Sequence, residues 1–150
     1  MNREIKFRAW DKDNKKFATE TSENFNGEIL LDLNGKVRVA DYPVGNGDNS
    51  ADSVFEPVNN QDNYIIQQFT GLKDKNGTDI FEGDIVKVKV YNGWFDTDET
   101  KFCNYEVKWS TIEVGWRGFT KQMNPSEHSG VSLVRGEVIG NVFENYELIK

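Results

Sequence analysis

Apolar and polar residues alternate over several short stretches of this chain, which is typical of strands with one buried face. Val86, Val88 and Val90 alternate with lysines, and residues 5–10 and 105–109 repeat the same two-residue period. No segment of the sequence sustains an apolar period of 3.6 residues. The pattern therefore predicts an all-β fold with at most short helices.

Turn signals separate these stretches. Asn34-Gly35 and Asn76-Gly77 are typical hairpin turns, because both residue types accept a positive φ. Further turns are expected at Thr70-Gly71, Ser110-Thr111 and Glu82-Gly83-Asp84. Phe17 resumes an apolar pattern after a polar turn, so a hairpin is expected at the amino-terminal end. Additional strands are expected at residues 28–33, 36–40, 64–69, 112–116 and 138–143. The spacing favours an all-β barrel or sandwich, and Gly140 indicates either a bulge or a close approach of the backbone.

The length of 150 residues predicts a single domain. Residues 43–63 are rich in Asn, Asp, Gly and Pro, and are predicted to form a loop between possible subdomains at 1–42 and 64–150. A second polar loop is expected at residues 92–103. The single cysteine excludes an internal disulfide, and no apolar run is long enough to span a bilayer.

The net charge of −7 argues against a general nucleic-acid binder, which needs clustered Lys and Arg. The charge is uneven, since residues 1–17 carry six basic and three acidic side chains and the remainder carries 12 basic and 22 acidic ones. Two interpretations stay open. The acidic body serves ordinary solubility, or the basic end contacts the acidic body of a neighbouring subunit.

The sequence offers no catalytic set, metal site or cofactor motif. Residues 11–15 and 74–78 begin like calcium loops, but each lacks the required Gly and closing Glu, so plain turns are favoured. Cys103 and His128 form the one nucleophile pair that can be named, and an inert thiol with a solvated histidine is favoured. The chain is therefore expected not to be an enzyme.

The first strand carries a candidate interface. Lys6, Arg8 and Trp10 share one strand face, where cation–π stacking between Arg8 and Trp10 is feasible. Such pairs often anchor interfaces. The alternative is a second buried face for Trp10.

Three segments, residues 3–11, 68–86 and 138–148, resemble the YopX-like proteins of phages and prophages of Gram-positive bacteria. Trp109 and Gly118-Phe119 fall where that family has a Trp and a Gly-Phe. The resemblance implies an accessory phage protein of the host cytoplasm without established activity, cofactor or catalytic residues. It also implies homo-oligomeric assembly.

Residues 83–88 resemble a strand start in small SH3-like barrels, which places such a barrel in the carboxy-terminal half, with a β-hairpin region before it. The glycines and polar residues of the central motif meet turn requirements, so a structural role is expected for them. They are Gly71, Asp74, Asn76, Gly77, Gly83 and Asp84.

The expected function is that of a non-enzymatic, oligomeric binding or assembly module, with itself or a host or phage protein as partner. One alternative is an acidic modulator of a host nucleic-acid-processing protein, imitating phosphate charge. Another is direct nucleic-acid binding through the barrel, which requires an exposed Trp94, Phe95 or Trp116 beside Lys87 and Lys89.

Overall fold

A computed structural model describes six parts of the chain, with backbone only for two of them. They are residues 4–18, 27–31 (backbone only), 37–41 (backbone only), 63–90, 101–120 and 132–149. The strands are β1 (Phe7–Asp11), β2 (Lys16–Ala18), β3 (Gly27–Leu31), β4 (Val37–Asp41), β5 (Tyr64–Lys73), β6 (Asp79–Phe81), β7 (Asp84–Lys89), β8 (Phe102–Ser110), β9 (Gly115–Phe119) and β10 (Glu137–Asn141). Short 3-10 helices span Leu133–Arg135 and Tyr146–Leu148.

The chain divides into two compact units, with the boundary inside β5. The first comprises Met1–Lys6 and Gln68–Lys150, and the second Phe7–Gln67. The predictions of a single domain and of subdomains at 1–42 and 64–150 stay predictions. Residues 43–62 lie outside the described residues, as do 92–100 of the second predicted loop, whereas Phe102 and Cys103 already belong to β8.

An antiparallel sheet in the order β10-β7-β8-β9 forms the centre of the first unit. Its core face follows from the two-residue period, since Val86 pairs with Tyr105 across β7 and β8, and Val107 pairs with Gly118 across β8 and β9. The buried cluster of this unit consists of Ile80, Val86, Val88, Tyr105, Val107 and Leu133. The register of β10 on β7 shifts between Val138 and Gly140, which confirms the predicted bulge.

The later part of β5 pairs with β6, and the turn predicted at Thr70-Gly71 is wrong. The strand continues to Lys73 because a bulge absorbs these two residues, with a register shift between Phe69 and Leu72. Gly71 has a φ of 81°. The Thr70 hydroxyl donates to the Ile80 carbonyl at 2.7 Å and accepts the Leu72 N–H at 3.1 Å. The side chain thus supplies bonds that the bulge removes from the ladder.

The second unit contains two antiparallel pairs, β1 with β2 and β3 with β4, and β1 lies between β2 and the first part of β5. Ala9 is fully buried beside Ala18, Tyr64 and Ile66. Trp10 is also buried, because its ring meets Phe17 edge-on at 5.1 Å across the hairpin. Burial on both faces explains why the simple apolar face expected for β1 is not seen.

The strand expected at residues 112–116 is also wrong in part. Residues 111–114 form the turn of the β8–β9 hairpin, and β9 begins at Gly115. Ile112 and Val114 are exposed, and Val114 has a φ of 52°. Their alternation with polar residues mimicked a strand, whereas the Glu113 N–H donates to the Ser110 hydroxyl and closes a turn.

The all-β fold class is confirmed, with antiparallel sheets and short helices only among the described residues. The predicted amino-terminal hairpin is present as β1–β2. An SH3-like closure of the sheets in the carboxy-terminal half stays a prediction. Asn34-Gly35 lies outside the described residues. No helix in the described part of the chain has the length and apolarity to cross a membrane.

Replacing Gly136 by alanine is expected to destabilise the first unit. A Cβ there would lie 2.4 Å from Cγ1 of Val86 and 2.8 Å from Cγ2 of Val88, both in the core. We expect a loss of about 1–3 kcal/mol in the free energy of unfolding, measured in urea. In Gly115→Ala the new methyl would lie 3.1 Å from Nη1 of Arg117 and meet no backbone or core atom within 4 Å among its three nearest contacts, so this control should change stability little. Equal stability of the two variants would contradict the prediction.

Candidate functional site

Asp74 closes the central turn and joins it to the last strand. Its Oδ1 accepts the N–H groups of Asn76 at 2.8 Å and Thr78 at 2.9 Å. Its Oδ2 accepts the N–H of Val138 at 3.0 Å. The side chain is buried, so these three bonds replace the water that the carboxylate loses. The turn therefore depends on a residue 64 positions further along the chain.

Burial by itself raises the pKa of Asp74, but the hydrogen bonds from Val138, Thr78 and Asn76 favour the charged form more strongly. The pKa therefore lies below the ordinary value for an aspartate. Asp79 is also shifted downward, because the ammonium groups of Lys73 and Lys6 hydrogen-bond to its carboxylate and lower its pKa. Both carboxylates are stabilised in their ionised form by the folded structure.

Asp84 makes the second connection to the closing segment. Its Oδ2 accepts the Phe81 N–H at 2.8 Å, and its Oδ1 accepts the side-chain amide of Asn141 at 3.2 Å. The Oδ1 of Asn141 in turn accepts the N–H of Phe143 at 3.1 Å. Asp84 and Asn141 are 1% and 2% exposed, so this is a buried polar chain with named partners.

Glycines shape the turns of the central motif. Gly77 has a φ of 87° and Gly83 a φ of 75°, in the left-handed region that suits glycine. Asn76 is exposed and contributes its backbone N–H to Asp74. Five of the residues singled out from the sequence therefore lie in turns or their hydrogen bonds, namely Asp74, Asn76, Gly77, Gly83 and Asp84. Gly71 instead lies in the bulge of β5.

The candidate interface residues of the first strand all make contacts within their own units. Lys6 pairs with Asp79 at 2.9 Å and with Glu4 at 3.1 Å, and these hydrogen bonds raise its pKa. The guanidinium of Arg8 donates to Gln67 and lies 4.3 Å from the ring centroid of Phe17. Trp10 is 5% exposed, which agrees with the alternative of a second buried face.

A surface cleft of about 380 Å³ lies at the open end of the core face of the central sheet. Its lining residues are Gln68, Glu82, Trp109 and Trp116, and we call it the tryptophan cleft. The two indoles are direct neighbours across β8 and β9, with ring centroids 5.3 Å apart and planes at 81°. Trp109 is 43% exposed, whereas Trp116 also packs against the core.

Two polar groups of the tryptophan cleft have unused hydrogen-bonding capacity. The Nε1–H of Trp116 is buried and has no acceptor in the described part of the chain. No described residue pairs with the carboxylate of Glu82, which is half-buried. A buried donor without an acceptor costs about 1–3 kcal/mol, so such groups call for an explanation.

Sequence reasoning missed the tryptophan cleft. The sequence places Trp109 and Trp116 on alternating strands. The register that makes them neighbours follows from a turn at residues 111–114, whereas the sequence predicts that turn at residues 110–111. Glu82 was assigned only to a turn. Trp109 and Trp116 each lie two residues from the observed turn at residues 111–114, and equidistant residues across a turn become cross-strand neighbours. A turn at residues 110–111 is not centred between them, so the expected turn does not make them neighbours.

The other residues considered from the sequence are those for catalysis or metal binding. Cys103 is half-buried and packs against the core, and His128 lies outside the described residues. Among the residues that the structure describes, no group of three or more His, Cys, Asp or Glu side chains could hold a metal ion. Asp11, like Asp74, binds backbone N–H groups, at 2.9 Å from Asp13 and 3.0 Å from Asn14.

Solved structures share this fold. The protein EF1440 from Enterococcus faecalis matches with 26% identity and a TM-score of 0.58, over 99% of this chain and 100% of that one. The protein yopX from Bacillus subtilis matches with 20% identity and a TM-score of 0.55, over 96% and 95% of the two chains. A comparison with curated proteins found no match.

The fold and its turns define an all-β protein whose central motif is hydrogen-bonded to its closing strand. The family model described as YopX protein matches residues 6–150. The chain belongs to the YopX family, as the resemblance of its three motifs implied.

Acid is expected to destabilise the protein partly through Asp74. Its pKa is lower in the folded chain than the value of about 3.9 in an unfolded one, so the unfolded state binds more protons. The contribution is fully present above that unfolded value and is lost as the pH falls through the folded pKa. Asp74→Asn should flatten the dependence of the unfolding free energy on pH below about 5. An unchanged slope in urea titrations would contradict this assignment.

Proposed function

We propose that this protein is a non-enzymatic accessory protein of a phage or prophage that binds a polypeptide partner through the tryptophan cleft. The main support is the exposed Trp109, held edge-on against Trp116, together with the carboxylate of Glu82, which has no partner among the described residues. Aromatic side chains beside a few polar groups are typical of protein interfaces and peptide-binding grooves. A cleft of this size accommodates a side chain or two of the partner.

Charge favours a basic partner. The chain carries a net charge of −7, and Glu82 adds an unpaired carboxylate inside the cleft. Basic surfaces are the mark of proteins that handle nucleic acids. The proposed partner class is therefore a host or phage protein with an exposed basic segment, which includes the acidic-modulator role. The host cytoplasm is the proposed location.

Direct nucleic-acid binding receives less support. Lys87 lies 4.8 Å from the ring centroid of Phe102, and it pairs with Asn104 in the sheet. By the two-residue period, Lys87 and Trp116 point to opposite faces of this sheet. The described residues thus do not combine Trp116 and Lys87 into the stacking surface that single-stranded nucleic acid requires.

Selection from a random library of short peptides tests the proposal. We expect enriched peptides whose affinity falls about tenfold or more on Trp109→Ala, because a central aromatic anchor is lost. Phe102→Ala is the matched control, since Phe102 is a similarly exposed aromatic on the opposite face of the same sheet. Unchanged urea midpoints would show that both variants fold. Enriched peptides that bind Trp109→Ala as tightly as the unmodified protein would contradict the proposal.

Self-association is a second candidate function, favoured by the position of two lysines. Lys12 and Lys15 are exposed in the turn between β1 and β2, at the basic end of the chain. They are free to contact the acidic surface of another copy, whereas Trp10 is buried. The proposed interface therefore lies at the tip of the β1–β2 hairpin and not on strand β1 itself.

Light scattering after size exclusion tests this candidate. We expect a mass above that of one chain at micromolar concentration and low salt. Lys12→Glu with Lys15→Glu should shift it to the mass of one chain, because like charges then face each other and such contacts are salt-sensitive. Lys75→Glu with Lys108→Glu changes the net charge equally and should leave the mass unaltered. A single-chain mass for the unmodified protein would exclude self-association.

A further inference from the structure

The tryptophan cleft lies at the end of the central sheet where, among the described residues, side chains on the core face become exposed. Along β8, Val107 is fully buried and Trp109, the next residue on the same face, is 43% exposed. Its volume of about 380 Å³ lies near the lower end of the ~300–1,000 Å³ range of ligand pockets. An occupant therefore consists of a single large side chain with a little adjoining backbone.

The polar groups of the cleft favour a cation. Glu82 is held beside Gln68 by a backbone hydrogen bond of 2.9 Å from its N–H to the Gln68 carbonyl. The carboxylate of Glu82 and the amide oxygen of Gln68 are both acceptors. The exposed indole of Trp109 supplies a π-face, which attracts a cation placed within about 6 Å. A positively charged group would thus gain both an ion pair and an aromatic face.

Among biological cations, the guanidinium group fits this combination better than an ammonium. It is planar, stacks on aromatic faces, and presents several N–H donors that can be shared between a carboxylate and an amide oxygen. An ammonium is a more strongly hydrated point charge and loses more on leaving water. The edge-to-face pair leaves Trp109 as the stacking surface, because Trp116 is packed against the core.

Trp116 acts on the occupant only through Trp109. Its Nε1–H is buried and lies out of reach of a group in the cleft. Its ring holds the indole of Trp109 edge-on, with centroids 5.3 Å apart, and so fixes the aromatic face on which a guanidinium would stack.

We propose that the tryptophan cleft binds an arginine side chain of a partner polypeptide, stacked on Trp109 and paired with Glu82. This inference rests on the proposed polypeptide-binding function and specifies its ligand. In this arrangement Gln68 accepts a further guanidinium N–H, and Trp116 holds the ring of Trp109 in place.

Indole N–H signals in two-dimensional ¹H–¹⁵N NMR spectra of the full chain test the proposal. The probe is N-acetyl-arginine amide, compared with N-acetyl-lysine amide, methylguanidinium and a single-stranded DNA oligonucleotide. Trp→Phe variants assign the four tryptophan signals. We expect the arginine amide to shift the signals of Trp109 and Trp116 with the highest affinity of the four probes. Glu82→Gln should weaken it about tenfold, and Glu144→Gln, an exposed carboxylate outside the cleft lining, should not.

Several results would overturn the inference: no shift with the arginine amide, equal affinity for the lysine amide, or stronger shifts of these signals with the oligonucleotide. Equal affinity for methylguanidinium would show that the cleft contacts nothing of the arginine residue beyond its cation, which would overturn a polypeptide arginine as the ligand. An oligomer that dissociates on Glu82→Gln would identify a second copy of this chain as the occupant. Selected peptides that require Trp109 but contain no arginine would leave the proposed function standing and refute the arginine ligand. Arginine-amide binding without any Trp109-dependent peptide would do the reverse.

Discussion

Two buried carboxylates hold the first unit together. Asp74 and Asp84 each bind a backbone N–H within their own turn and a group of the closing segment, 64 and 57 positions away. An ionised carboxylate away from water is stable only if its lone pairs are occupied. The two turns and β10 are therefore stable only together, because each supplies hydrogen-bond partners that the other needs.

The tryptophan cleft depends on this arrangement for its geometry. Asp84 fixes the Phe81 N–H, and the next residue, Glu82, binds the Gln68 carbonyl through its own N–H. The Gly83 N–H reaches the Val107 carbonyl at 2.8 Å, beside the start of the tryptophan pair. The turn residues of the central motif thus position Glu82, which lines the cleft. Within one turn, Asp84 stabilises the fold, whereas Glu82 lines the surface cleft.

Local patterns predicted most of the strands and turns, because alternation and Asn-Gly pairs act over a few residues. The same patterns wrongly predicted a turn at Thr70-Gly71. The strand instead continues there through a bulge, which the hydrogen bond of the Thr70 hydroxyl group stabilises. These patterns also failed at residues 112–114, where an exposed turn carries apolar side chains. The bond from Val138 to Asp74 joins residues 64 positions apart, which no local signal encodes. The tryptophan pair lies across one hairpin, and its register depends on the exact placement of the turn at residues 111–114.

The distance along the chain between Asp74 and Val138 has a kinetic consequence. Before β10 arrives, a collapsed chain leaves Asp74 and Asp84 each short of one partner, although the bonds within the central turn can already form. Contacts between such distant residues form slowly, since loop closure must precede them. The strands β7, β8 and β9 can pair earlier, but the outer edge of β7 has no partner until β10 is added. During that interval β7 is open to unwanted strand pairing.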